Sequence, residues 1–103
     1  MDEKASEQKE VKEIKINMPA NLVGGVYSNL MTVSHTREEF IMDFAMLHGS
    51  VGVVTARVIM SPGHMKRTVS ALQDNLKKYE EVIGKIQEAP QPKGKLGFQP
   101  PST

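Results

Sequence analysis

His64, Lys66 and Arg67 crowd the first two turns of a segment that reads as a helix, and Arg57 lies shortly upstream. The free N–H groups and the dipole already make a helix start positive, so cations there oppose helix stability by about a few tenths of a kcal/mol each. An acidic partner removes the conflict, and a helix start suits phosphate or carboxylate. Arg57, His64, Lys66 and Arg67 are therefore candidate anion-binding residues, with Lys66 and Arg67 supplying charge and His64 a hydrogen bond. The competing reading is that they are solvated, or pair with Glu38, Glu39 or Asp43 of a neighbouring segment.

Asp43 lies between apolar residues on a central-looking strand. A buried carboxylate needs a partner or becomes neutral. It could act as a general base; the structural reading pairs it with Arg57 across the sheet or turns it to a polar seam. No catalytic set forms around it. Ser28, Ser34 and Ser61 lack an elbow motif or an adjacent base, and Gly24-Gly25 is not followed by the Lys-Ser/Thr of a phosphate loop. His35, His48 and His64 fall in different segments without metal-ligand spacing. Cysteine is absent, which excludes disulfides and thiolate sites. The expectation is a non-enzymatic protein with no catalytic residue, metal or cofactor.

These residues are positioned by a simple series of elements. Glu13–Met18 alternates, Ile14, Ile16 and Met18 facing one way and Glu13, Lys15 and Asn17 the other, as in a half-buried strand. Val26–Ser34 is a second extended candidate, followed by a polar turn at His35–Glu38. Phe40–Leu47 is a third, then a turn at Gly49–Gly52, and β-branched Val53–Met60 is a fourth. Ser61-Pro62 supplies an N-cap and a first-position proline. From there Met65, Val69, Leu72, Leu76, Tyr79, Ile83 and Ile86 keep the 4-3-4-3 spacing of an amphipathic helix over 61–86. The fold class expected is α+β: a four-stranded antiparallel meander followed by one long C-terminal helix.

At 103 residues the chain holds one domain at most. Residues 1–12, MDEKASEQKEVK, read as a disordered charged tail, and residues 88–103, EAPQPKGKLGFQPPST, as a disordered Pro/Gly-rich one. Within that second tail, Leu96-Gly97-Phe98 is either a short docking motif or unstructured chain. The single domain is then 13–87, a size at which one core is only marginally stabilising.

Surface geometry points to association. Four strands make a sheet roughly 15–20 Å wide, whereas one helix is about 10 Å across and cannot cover even one face. The last two strands are apolar on both faces, and a small monomer does not leave a large apolar patch in water. A two-fold homodimer is the simplest cover, with Met65, Val69, Leu72, Asn75, Leu76, Tyr79 and Ile83 as the oligomer interface. Asn75, polar beside the stripe, either fixes the register of helix pairing or bonds to nearby backbone; Tyr27 and Asn29 either do similar work between strands or face water. A folded-back tail or an unrelated partner protein are the other covers.

Read together, GVYSNLMTVSHTREEFIMDF and RVIMSPGHMKRTVSALQDNLKKYEEVIG resemble a family of short bacterial proteins catalogued as domain of unknown function 3467. The likeness rests on Tyr27, Asn29, Ser34, Phe40, Asp43, Phe44, the Ser61-Pro62-x-His64-x-Lys66-Arg67 segment, Leu72, Asn75 and Tyr79-Glu80. It spans nearly all of the expected domain. The resemblance implies a small stand-alone cytoplasmic protein and carries no activity onto these positions.

The function expected is a homodimeric scaffold or regulatory protein-binding subunit. The alternative is a protein that binds nucleic acid or another polyanion through the basic helix start. Thirteen basic against twelve acidic residues give a net charge of +1, short of the basic excess of a general nucleic-acid binder. No apolar run approaches the ~18 residues of a membrane span, and the N-terminus lacks the pattern of a signal peptide. No membrane partner and a cytoplasmic location are expected.

Overall fold

A computed structural model describes residues 12–101. The tail expected at 1–12 lies outside the described residues except for Lys12. The chain divides into two compact units, Met1–Ile59 and Met60–Thr103.

The first unit is an antiparallel meander in the order β1-β2-β3, with β1 at Leu30–His35, β2 at Phe40–His48 and β3 at Val51–Met60. β1 and β2 run from Leu30 opposite Ala45 to His35 opposite Phe40. The turn between them is tied by Thr36. Its N–H donates to the Glu39 carbonyl at 2.9 Å, and its hydroxyl accepts from the N–H groups of Glu38 and Glu39 at 3.2 Å. This is how a polar His-Thr-Arg-Glu stretch reverses a chain. β2 and β3 are joined through Gly49-Ser50. Gly49 has φ +62°, and among the described residues only glycines take positive φ, the sign pattern of a type II′ hairpin turn with glycine first.

The expected sheet of four strands has three. Glu13–Met18 forms no strand; Ile14 and Ile16 are 83% and 88% exposed. Alternation supplies the facing of a strand but not the neighbour whose N–H and C=O groups must pair with it. Val26–Asn29, read as the start of the second strand, also lies outside it. Pro19 opens a short 3-10 turn at Ala20–Leu22, closed by Gly25 with φ +72°. The chain then bonds across the sheet instead of along it. The Asn29 amide clamps Leu47 of β2, Nδ2 donating to its carbonyl at 2.9 Å and Oδ1 accepting from its N–H at 2.8 Å. The Ala45 carbonyl accepts from the Asn29 N–H at 3.0 Å and the Ser28 hydroxyl at 3.2 Å. One residue earlier, the Tyr27 carbonyl lies 3.3 Å from the Thr55 hydroxyl of β3. Residues 27–29 thus run from β2 toward β3.

The core is small. Met42 and Ala45, both on β2, are the buried apolar residues, at 8% and 6% exposure. They are three apart on a strand and so face opposite sides. Both faces of β2 are lined, and neither becomes a deep core.

In the second unit, α1 runs Pro62–Val82. Ser61 caps it as expected, its Oγ accepting from the His64 N–H at 3.2 Å, with Pro62 at the start. The helix ends four residues short of the predicted Ile86, because Gly84 adopts φ +142° and turns the chain away. The Glu80 carboxylate follows that turn and accepts from the Ile86 N–H at 2.9 Å. After Val82 the described residues contain no further helix or strand.

Candidate functional site

Asp43 and Arg57 meet as one sequence reading proposed. Arg57 Nε donates to Oδ1 at 2.7 Å and Nη2 to Oδ2 at 2.9 Å, a two-pronged ion pair between β2 and β3. The Asp43 side chain is only 15% exposed, whereas that of Arg57 is open to solvent. The hydrogen bonds from Arg57 lower the Asp43 pKa below its ordinary value; partial desolvation opposes this and the guanidinium charge adds to it. A carboxylate held ionised by a fixed cation makes a poor general base at neutral pH, and the pair ties β2 to β3.

The pair sets a pH dependence. A folded chain with a lowered Asp43 pKa takes up its proton later than the unfolded chain, whose aspartate titrates near ~3.9. Stability from the pair is therefore complete above that value and lost as pH falls through the lower folded pKa. Asp43→Asn is expected to lower the urea midpoint at pH 7, and the gap from the wild type should narrow at acidic pH, below about 3.9. A gap of constant size between those pH values would show that the pair contributes nothing through ionisation.

The four candidate anion-binding residues are divided between the two units. Arg57 lies in the sheet, committed to Asp43. His64, Lys66 and Arg67 lie in the first turns of α1. There Arg67 Nη2 is 2.8 Å from His64 Nδ1. A guanidinium only donates, so Nδ1 accepts and the ring carries its proton on Nε2. The Thr68 hydroxyl donates back to the His64 carbonyl at 2.8 Å. Lys66 is exposed, and no acidic residue occupies the first turn. Three of the four candidates, Arg57, His64 and Arg67, therefore already have partners within the chain.

The apolar stripe is the larger feature. α1 contains no buried residue. Leu72 and Leu76 are 61% and 54% exposed, and Val69, Tyr79 and Ile83 are exposed beside them. Met65 alone of the stripe is half-buried. Leu72, Asn75, Leu76, Tyr79 and Ile86 line an open, mainly apolar hollow. Ile86 reaches it because of the Gly84 turn and the Glu80 bond, neither of which heptad spacing reveals. Most of a helix's stability in a protein comes from packing an apolar face, and this 21-residue helix presents leucine, valine, isoleucine and tyrosine in a row.

Sequence reasoning offered Asn29 only as a residue that works between strands or faces water, and it missed the crossing bonds of Ser28 and Thr55 and the cap supplied by Glu80. An asparagine just before a strand is the faint signal for the Asn29 clamp, since its amide can stand in for a backbone pair. The others depend on which segments meet in space.

Among the described residues no group of histidines and carboxylates is arranged to hold a metal ion, and no helix is long and apolar enough to cross a membrane. The architecture is that of a small α+β protein whose surface is dominated by unpaired apolar elements. Over residues 1–88 the chain matches the model described as "Protein of unknown function (DUF3467)", and it belongs to that family. No curated protein and no solved structure matches it.

Proposed function

We propose that this protein acts by association: a non-enzymatic homodimeric scaffold or regulatory subunit, paired through the α1 stripe and a sheet face, that binds another protein. One observation carries the reading. The stripe from Met65 to Ile83 runs the length of a helix with no buried residue, and a lone small chain does not leave so much apolar surface in water. A second copy provides the same stripe, so a two-fold axis through the helices covers both at once. Asn75, lining the hollow beside Leu72 and Leu76, favours the register that lets its amide find a partner.

Sedimentation at micromolar concentration tests the pairing, with a dimer expected. A stable, compact single-chain species would overturn it. A pull-down from the native host tests the second half, with a reproducible co-purifying protein expected and lost on polar substitution of the exposed apolar positions. Recovery of the chain alone would remove the protein-binding role and leave only self-association.

A further inference from the structure

β3 and the segment before β1 each lack what the other has. β3 is an edge of the sheet, and its ten residues make it the longest strand. Natural edges are blunted by charge, proline or bulges. The opposite edge strand, β1, is six residues long and carries Thr32, Ser34 and His35. β3 reads VGVVTARVIM, contains no proline, and has one charge, Arg57, already matched by Asp43. Val51, Val53, Val54, Val58 and Ile59 are exposed. Among the described residues no strand pairs with this edge, and it is apolar and electrically neutral.

Glu13–Met18 has the complementary defect. It has the alternation of a strand and no strand to pair with, and Ile14, Ile16 and Met18 are exposed. Six extended residues span about 20 Å, which fits along the roughly 33 Å of a ten-residue strand. The chain between them already bonds to β3. Backward from Asn29, held on β2, it reaches Thr55 of β3 at Tyr27. Glu13–Met18 itself pairs with no strand among the described residues.

We infer that Glu13–Met18 of a second copy adds to β3 as its outer strand, each copy lending its segment to the other. The inference rests on the homodimer reading above and names a contact that reading does not contain. Under a two-fold axis the exchange is reciprocal, so both open edges are paired by one operation. Each added strand gives up its free N–H and C=O groups to β3, as in strand addition generally.

The test uses the full chain and Ile16→Pro, which removes a donor in the middle of the added strand. The residue lies outside every helix and strand of the single chain, so the variant retains its fold. Hydrogen exchange of the β3 amides is read beside sedimentation. The expected wild type is a dimer with protected amides along Val51–Met60. In Ile16→Pro those on the outer side exchange at least tenfold faster, dimer dissociation constants rise tenfold or more, and α1 amides keep their rates. A wild-type dimer whose β3 exchange and affinity ignore the proline overturns the strand exchange and leaves the helix-paired dimer standing. A monomeric wild type overturns both. Proline-sensitive β3 protection in that monomer would identify the segment's acceptor as its own sheet.

Discussion

Replacing Leu72 and Leu76 together by aspartate is expected to abolish self-association at micromolar concentration and to lower helix content. The two leucines are one turn apart and more than half exposed in the single chain, so their apolar area is largely available to a partner. Burying a leucine fully stabilises by about 1.5–3 kcal/mol. Even at about 1 kcal/mol each, four leucines across a two-fold interface contribute ~4 kcal/mol, roughly a thousandfold in dissociation constant. Aspartate removes that term and adds the cost of desolvating a charge. The helix weakens too, since helices in proteins draw most of their stability from packing an apolar face. The control is Ser70→Asp with Lys78→Ala, which changes the net charge equally from the opposite side of α1. Sedimentation should show the control as a dimer and the leucine variant as a single chain; equal behaviour of the two would mean that the stripe is not the interface.

The parts of this structure that were legible in the sequence are those fixed by near neighbours. Ser61 and Pro62 start α1 because a hydroxyl three residues before a free N–H, and a ring that needs none, are local facts. The Asp43–Arg57 pair was readable because one carboxylate among apolar residues needs a cation, and the next strand has one charge to offer. Two strand positions followed from alternation and the third from its β-branched run, although Gly49–Gly52 shrank to the two-residue Gly49-Ser50 turn. What failed depended on distant chain. Alternation over Glu13–Met18 cannot say whether an edge lies within reach, and apolar Val26 cannot say that the chain after it crosses the sheet. The end of α1 failed for a different reason: Ile83 and Ile86 continue the stripe, but Gly84 lies between them, and its φ of +142° outweighed the periodicity.

The candidate site divides the same way. The stripe was readable in full because helical spacing is periodic. The hollow at Leu72, Asn75, Leu76 and Tyr79 needed Ile86 to be brought back after the helix had ended. At the helix start the sequence placed the cations but not their partners. Arg67 turns to His64, three residues back on the same face, so part of the charge expected for an anion is used within the chain.

Ala45→Leu is expected to destabilise the sheet by about 1–3 kcal/mol, the usual cost of forcing volume into a filled position. Among the described residues Ala45 is the most buried, at 6% exposure, and its surroundings explain the small side chain. Leu30 lies opposite it in β1, its carbonyl holds both the Asn29 N–H and the Ser28 hydroxyl, and the crossing segment continues from there to Thr55. Three added carbons must push that segment away and break the crossing bonds. In a domain whose total stability is on the order of 5 kcal/mol, such a loss is a large fraction. The effect should be confined to the sheet. Urea unfolding should shift to a lower midpoint, and amides of residues 27–29 and Leu47 should exchange faster, with α1 amides following only at global unfolding. If these residues also lead the Glu13–Met18 segment to the β3 edge, the same variant weakens the dimer without touching either strand. Ala45→Gly is the counter-test: it frees space instead of filling it, so it costs strand propensity but keeps the crossing. A leucine variant as stable as the wild type would mean that residues 27–29 do not depend on a small side chain beneath them.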